Sequence, residues 1–559
     1  MADDVSCPAL AAPPLINRLP VEILLQIFQR SYALLDYEPW YRLLWVCRFW
    51  RGLVQNCPSL WGTITLKKNF KQDFLEASLR FSGAVPLDLT VRGTSSARNL
   101  ALVEALLPHL ARIRSLHVQE MGDVKNEALK TLLHEKMPML EELSANFKTK
   151  TRPLGPYPID EAMLLPGLHD PEEPFVWHLS PEQFPRLRCL SLGTGLMING
   201  QLPVFPGLRR LGLRECASAP MTVVDFAQYL SQHPRLEELA MYRFRPAVVP
   251  VPAPMSFPPS LRKFTLEDHS YYTAPFLSPF FLPPHVDVKI VRLLDYMDTG
   301  DFPEGQWAIS PTVQDALPQV LGTLPILAEV SSIELRHYMS SYYSVLGTTP
   351  AGHTVRLTSN VRDSEGCDEE EFDSFFDLID VFDGAPVVEL FVNGNGDKSV
   401  DEGHWGAAFE AFSLLERIVI DRTGSLSDDD ARLGLLKALE PVRHKKNAMA
   451  SSGDPPAAVP APQLKSLVMT SSAYNKEDKE FSKVLARCLK KRKEHGAQLE
   501  KLHLKLEYLA RPEMEKEMEG DNARRYKMYT KALRSLVRDL HVEVVNDFYP
   551  RDYTPDYED

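Results

Sequence analysis

"FPRLRCLSL" (residues 184–192) and "FPGLRRLGL" (residues 205–213) share one pattern, an aromatic residue and a proline followed by L-x-x-L-x-L. The last two leucines of each copy are two residues apart, so their side chains point to the same face of a short strand. The first leucine comes three residues earlier, on the turn that enters the strand. Each copy therefore predicts a short strand with one buried face.

The same pattern returns along the chain from residue 84 onward. Strong copies occupy residues 233–241, 258–266, 414–420, 462–469 and 498–504, and weaker copies lie near residues 87, 113, 140, 333 and 388. The leading leucines Leu187, Leu208, Leu236 and Leu261 are 21, 28 and 25 residues apart. Helical patterns lie between copies, for example at residues 97–110 and 223–234. Strand, helix and strand at this spacing are typical of leucine-rich repeats.

One such repeat cannot bury its apolar face alone, so we expect the copies to stack into a solenoid with parallel strands on the concave side. The predicted fold class is α/β, with this irregular solenoid over residues 66–508 and insertions at about 147–183, 245–257, 270–312 and 440–463. A doubly wound α/β domain is the alternative. It would show longer Val/Ile strands and a Gly-rich first turn, and neither is evident.

Residues 16–65 differ from the rest and predict a small helical module. "LPVEILLQIF" (residues 19–28) places its Pro at the helix start, where a missing N–H costs nothing. Its apolar residues form two i,i+4 pairs, Ile23 with Ile27 and Leu24 with Phe28, which predict one apolar face. A second helical stripe, which ends before Pro58, consists of Leu43, Val46, Cys47, Trp50, Leu53 and Val54, with Arg48 and Arg51 on the other side.

These two segments, "LPVEILLQIF" and "LLWVCRFWRGLVQNCPSLW" (residues 43–61), together resemble an F-box, particularly the F-box-like form abundant in fungal proteins. The connection between them, residues 29–42, is longer than in many F-boxes. The resemblance implies binding to the Skp-type adaptor of a cullin–RING ubiquitin ligase. It implies first-helix contacts from Leu19, Pro20, Ile23, Leu24, Ile27 and Phe28, with Val46, Cys47, Trp50 and Trp61 divided between core and contact.

Composition and motifs exclude several other classes of protein. The formal net charge of -13 argues against nucleic-acid or anionic-membrane binding through overall charge. The seven scattered cysteines include no CxxC pair and fit neither a disulfide framework nor a zinc site. "VNGNGDKS" (residues 392–399) is the nearest approach to a phosphate loop but reads as a turn, and Asp428–Asp430 read with Ser427 as a helix start. We therefore expect no catalytic residue, no cofactor and no metal.

The expected function is that of a substrate-recognition subunit of a Skp–cullin–F-box ubiquitin ligase, itself not an enzyme. Its repeats would bind an unidentified target protein, and Phe276, Phe280 and Phe281 are either part of that contact or packed on the array. The alternative is a repeat-based interaction scaffold in which the F-box-like segment is only an N-terminal cap.

The ends of the chain carry further expectations. Residues 1–15 read as a disordered N-terminus without a signal peptide, and residues 509–559 as a C-terminal helix and an acidic tail. "LKKRKEHG" (residues 489–496) is either a nuclear-localisation patch or a basic helix end. We expect a cytoplasmic or nuclear protein, or one found in both compartments.

Overall fold

The computed structural model describes residues 15–34, 40–93, 96–121, 127–147, 175–194, 196–198, 202–218, 221–294, 313–318, 321–339, 342–361, 374–394, 400–421, 429–441, 459–471, 476–510 and 515–548. The chain divides into two compact units, Met1–Ala219 and Pro220–Asp559.

The first unit begins with short helices and continues as a parallel sheet. Its helices are α1 Val21–Leu34, α2 Leu43–Val46, α3 Arg48–Gln55, α4 Pro58–Trp61, α5 Gln72–Phe81, α6 Ser96–Leu106 and α7 Glu127–His134. Its strands are β1 Thr63–Leu66, β2 Leu87–Arg92, β3 Ile113–Met121, β4 Glu142–Phe147, β5 Phe175–Trp177, β6 Cys189–Leu192, β7 Leu196–Ile198, β8 Arg210–Arg214 and β9 Ala217–Ser218. The parallel sheet has the order β1-β2-β3-β4-β6-β8, and β5, β7 and β9 form a smaller one.

The second unit repeats this arrangement on a larger scale. Its helices are α8 Val223–Ser231, α9 Ser270–Leu277, α10 Ser374–Val381, α11 Glu402–Ala411, α12 Asp429–Ala438, α13 Lys476–Glu494 and α14 Glu515–Leu533. Its strands are β10 Glu238–Tyr242, β11 Met255–Ser256, β12 Lys263–His269, β13 Phe280–Phe281, β14 Asp287–Leu294, β15 Ser332–Met339, β16 Tyr342–Thr348, β17 Thr354–Val361, β18 Glu389–Gly394, β19 Arg417–Asp421, β20 Ser466–Ser471, β21 Lys501–Ala510 and β22 Asp539–Phe548. The main sheet has the order β10-β12-β14-β17-β16-β15-β18-β19-β20-β21-β22.

The L-x-x-L-x-L copies quoted above all fall on strands of these sheets. Their leading leucines are buried on tight turns: the backbone N–H of Leu187 donates to Phe184 O, that of Leu208 to Phe205 O, at 3.2 and 3.0 Å. The strand leucines then stack in register, as Leu190 does on Leu211. The sequence pattern therefore positions both the turn and the buried row. A mixed α/β structure with a large, mostly parallel sheet follows from it.

The prediction of parallel strands does not hold at β16, which runs antiparallel to both β15 and β17. The β16 sequence "YYSVLGT" lacks the leading leucine and the tight turn of the other copies. A parallel strand needs a crossover connection, and these residues do not specify one. Strand β14 is a member of the main sheet although it lies in the predicted insertion at 270–312. The sheet also continues past residue 508, because β22 follows α14 and pairs with β21.

Two of the three phenylalanines in that predicted insertion are packed inside the unit. Phe276 and Phe280 are buried with their ring centroids 5.1 Å apart, and Phe257 lies 4.7 Å from Phe280. Phe281 is exposed. The remaining predicted features at residues 1–14, 395–399, 427–428, 442–458 and 551–559 lie outside the described residues.

Candidate adaptor-binding surface

Helix α1 has two apolar faces rather than one. The carbonyl of Pro20 accepts hydrogen bonds from the backbone N–H groups of Ile23 and Leu24, each at 3.1 Å, and so starts the helix. Leu24 and Phe28 are buried, whereas Ile23 and Ile27 are 42% and 38% exposed. The prediction of a single apolar face is therefore corrected: one i,i+4 pair fills the core and the other faces outward.

The second helical segment is interrupted at Cys47, so the prediction of one continuous helix over residues 43–54 is wrong. Cys47 is extended, with φ -158 and ψ 168, and its Sγ accepts a hydrogen bond from the backbone N–H of Trp50 at 3.4 Å. Cys47 thus caps α3 and turns it away from α2. As a result Val46 and the preceding Trp45 are 58% and 69% exposed. Arg51 holds the two short helices together, because its Nε donates to Leu44 O at 2.9 Å.

The core of the module joins α1, α3 and α4. It consists of Leu24, Phe28, Val54, Cys57, Leu60 and Trp61. The Trp61 indole N–H donates to Val54 O at 2.8 Å, which satisfies the one polar atom of that buried ring. Phe28 and Trp50 pack with ring centroids 4.7 Å apart.

This core extends to the first helix and strands of the sheet region. Phe81 of α5 packs on Trp61 with ring centroids 4.9 Å apart, and β1 pairs in parallel with β2. Gly62 stands at the exit from α4, where a Cβ atom would lie 2.9 Å from Pro86 O. The helical module and the start of the sheet are therefore one packed structure.

Much of the exposed apolar surface of the described residues lies in this module. Half of the exposed large apolar side chains belong to it, and they are Ile16, Leu19, Val21, Ile23, Ile27, Trp45, Val46 and Phe49. Exposed apolar side chains gathered in one small segment are typical of a surface that binds a partner. We refer to these eight residues as the exposed apolar set.

The predicted contact residues divide into three groups in the structure. Leu19, Pro20, Ile23, Ile27 and Val46 are exposed. Cys47 and Trp50 are half-buried, and Leu24, Phe28 and Trp61 are buried in the core. The sequence pattern missed Trp45 and Phe49, because both lie off the helical stripe from which the contacts were chosen.

Residues 16–67 match the F-box-like family model. This segment is an F-box-like domain. F-box domains generally bind Skp-type adaptors through such a module. A search of curated proteins found no match to the chain. The family match thus covers the helical module and all of β1, and it does not extend to the strands that follow.

The cysteines of the described residues carry no evident nucleophile. Cys47, Cys57, Cys189, Cys216 and Cys488 are all free thiols. Burial raises the pKa of Cys216 and of Cys488 to about 12, so both thiols stay protonated at neutral pH. Cys7 and Cys367 lie outside the described residues.

The buried carboxylate of Asp377, in the second unit, connects neighbouring elements through hydrogen bonds. The side chain of Asp377 accepts hydrogen bonds from the Tyr343 hydroxyl and from the Val313 backbone N–H, the latter at 3.0 Å. Burial raises the pKa of Asp377 despite these bonds. The bonds tie α10 to β16 and to the short 3₁₀ helix Val313–Ala316.

None of the described helices is long and apolar enough to cross a membrane.

Proposed function

We propose that this protein is the substrate-recognition subunit of a Skp–cullin–F-box ubiquitin ligase. The observation that carries the proposal is the outward exposure of Ile23, Ile27 and Trp45 in a domain whose own core is already filled by Leu24, Phe28 and Trp61. An apolar helix face of this kind fits a groove of a partner, and exposed aromatic anchors supply most of the binding energy. The Skp-type adaptor would occupy this face and connect the chain to a cullin.

We read the repeated strand units as irregular leucine-rich repeats that bind the target protein. Their outer positions carry polar residues, and ion pairs link consecutive strands near their N-terminal ends: Arg114 with Asp88, Lys263 with Glu238, and Arg417 with Glu389, at 2.5, 3.7 and 3.4 Å. A broad polar sheet face of this kind is suited to protein recognition. In this proposal the chain does not itself catalyse the formation of a covalent bond. It raises the effective concentration of a target lysine near a conjugating enzyme.

A second candidate is a scaffold in which the F-box-like domain serves as a cap. The packing of Phe81 on Trp61 and the pairing of β1 with β2 favour it, because a cap must cover the end of a repeat array. The same packing is compatible with adaptor binding, since it uses the inner face of the domain. The two candidates differ only in what the outer face does.

A binding assay with a purified Skp-type adaptor and the full chain distinguishes the two candidates. We expect Trp45→Ala, or the double change Ile23→Asp with Ile27→Asp, to weaken binding at least tenfold while the thermal unfolding midpoint changes little. Leu100→Asp is the matched control, because Leu100 is 55% exposed on α6, outside the domain. Unchanged adaptor binding in the domain variants, or an equal loss in the control, would refute the ligase proposal and leave the cap.

A further inference from the structure

Two histidines and a glutamate meet on the outer face of the last two strands. In the pairing of β21 with β22, His503 lies opposite His541, and Glu543 comes two residues later on the same face of β22. Leu502 and Leu504, which flank His503 on β21, are buried in the core, so His503 and its register partner His541 point to the other side of the sheet. Residues 38 positions apart in sequence are thereby held side by side.

The distances between these three side chains are short enough for one shared ligand. His503 Nε2 is 3.4 Å from Glu543 Oε2, and the two imidazole centroids are 4.5 Å apart at 73°. One ligand atom from each of the three residues lies within 4.8 Å of the other two. Tetrahedral zinc sites with bonds of about 2.0–2.2 Å hold their ligand atoms about 3–4 Å apart, so small side-chain rotations suffice.

The hydrogen bonding around this cluster leaves one of its imidazole nitrogens unsatisfied. His503 Nε2 is shielded from solvent and makes no hydrogen bond among the described residues. Lys505, which lies opposite Glu543 in the register, places its Nζ 2.8 Å from Glu507 instead. Glu543 Oε2 lies beside His503 Nε2, and a metal ion bound between this shielded nitrogen and the carboxylate would satisfy both groups.

We propose that His503, His541 and Glu543 bind a divalent transition-metal ion of the Zn²⁺ class. Two imidazole nitrogens and one carboxylate oxygen favour zinc and its neighbours over Mg²⁺ and Ca²⁺, which prefer all-oxygen sites. Three protein ligands leave a position for water on the exposed face. The ion cross-links β21 to β22 and so stabilises the end of the described sheet.

A similar pair elsewhere in the chain shows what the site requires. His117 on β3 has Glu142 of β4 at 3.9 Å, but its Nε2 lies 2.9 Å from Ser115 Oγ, and its register neighbours on β2 and β4 are Thr90 and Ser144. This pair thus has one histidine and one carboxylate on the same kind of sheet face. It makes His117 a matched control for the three-ligand cluster.

The test is a titration of the chelator-treated full chain with Zn²⁺ in competition with a chromophoric chelator. We expect one tight equivalent whose affinity falls at least tenfold in His541→Ala and in Glu543→Gln, and stays the same in His117→Ala. Both altered side chains are exposed, so we expect folding to be preserved, and circular dichroism checks it. Zn²⁺ should also raise the unfolding temperature of the unaltered chain and not that of His541→Ala.

Substitution of Co²⁺ identifies the ligands independently. Nitrogen and oxygen ligands give visible absorption bands without the intense near-ultraviolet band of a cobalt–thiolate bond. A thiolate band would assign the metal to cysteines and overturn the proposal. Unchanged Zn²⁺ affinity in His541→Ala, or an equal loss in His117→Ala, would overturn it as well.

Discussion

His233 is a buried histidine in a position where sequence alone favours a surface or capping role. It follows α8, and its Nδ1–H donates to Tyr229 O at 2.9 Å, so the capping part of that expectation agrees with the structure. The ring is almost completely buried against the Tyr229 ring, with centroids 4.5 Å apart. Burial lowers the pKa of His233, although its bond to the Tyr229 carbonyl acts in the opposite direction.

This lowered pKa predicts that acid destabilises the second unit. As the pH falls below about 6.5, the unfolded chain takes up a proton on this imidazole before the folded chain does, so the free energy of unfolding decreases. His233→Asn keeps an N–H near the Tyr229 carbonyl but does not titrate. Urea unfolding of both proteins at pH 7.5 and 5.5 should show a smaller loss in the variant, and an equal loss would contradict the assigned role.

For single residues, the sequence predicted correctly which positions are apolar. It did not predict which of them are buried, because neighbouring side chains decide that. The helical period of α1 places both Ile23 and Leu24 at apolar positions. Only Leu24 is buried, because it packs in the core that contains Val54 and Trp61. The His503–His541 pair had no sequence signal at all. Its two members lie 38 residues apart in sequence and meet only because β22 pairs with β21.

Helices α11 and α12 approach each other closely through one glycine. A Cβ atom on Gly434 of α12 would lie 2.8 Å from the backbone C of Asp401 and from Val400 O, at the start of α11. These are backbone atoms, which cannot move aside cheaply. We expect Gly434→Ala to reduce the free energy of unfolding by about 1–3 kcal/mol, as measured by urea denaturation.

The matched control lies in α11 itself. A Cβ atom on Gly406 would meet nothing within 4 Å, so Gly406→Ala should leave stability unchanged or raise it by up to about 1 kcal/mol, because alanine favours a helix. A similar loss in both variants would indicate that helix packing is not the cause. A gain in Gly434→Ala would contradict the close approach itself.

At the level of elements, the leucine pattern predicted the strands that follow a tight turn. The strands that lie on strong copies of the pattern are β6, β8, β10, β12, β19, β20 and β21. It did not predict β14, β16 or β17, whose sequences alternate apolar and polar residues without a leading leucine. Their place in the sheet is set by pairing with distant strands, which a local pattern does not encode.

At the scale of the whole molecule, the shared core changes how the two candidate functions are separated. Deletion of the N-terminal segment would at first sight distinguish a cap from an adaptor-binding domain, since only a cap should be needed for folding. Because Trp61 packs on Phe81, the deletion uncovers part of the first unit under either function. Surface substitutions such as Trp45→Ala are therefore the informative changes for function, and the deletion measures the packing.

We predict that removal of residues 1–67 destabilises the first unit whether or not the protein binds an adaptor. The deletion removes β1, the parallel partner of β2, and exposes the apolar side of α5 around Phe81. Hydrogen exchange of peptides covering α5 and β2 should be at least tenfold faster than in the full chain. Peptides covering α13 and β21 in the second unit are the internal control and should keep the rates of the full chain. Full protection of β2 in the deletion variant would mean that the sheet is stable without the F-box-like domain.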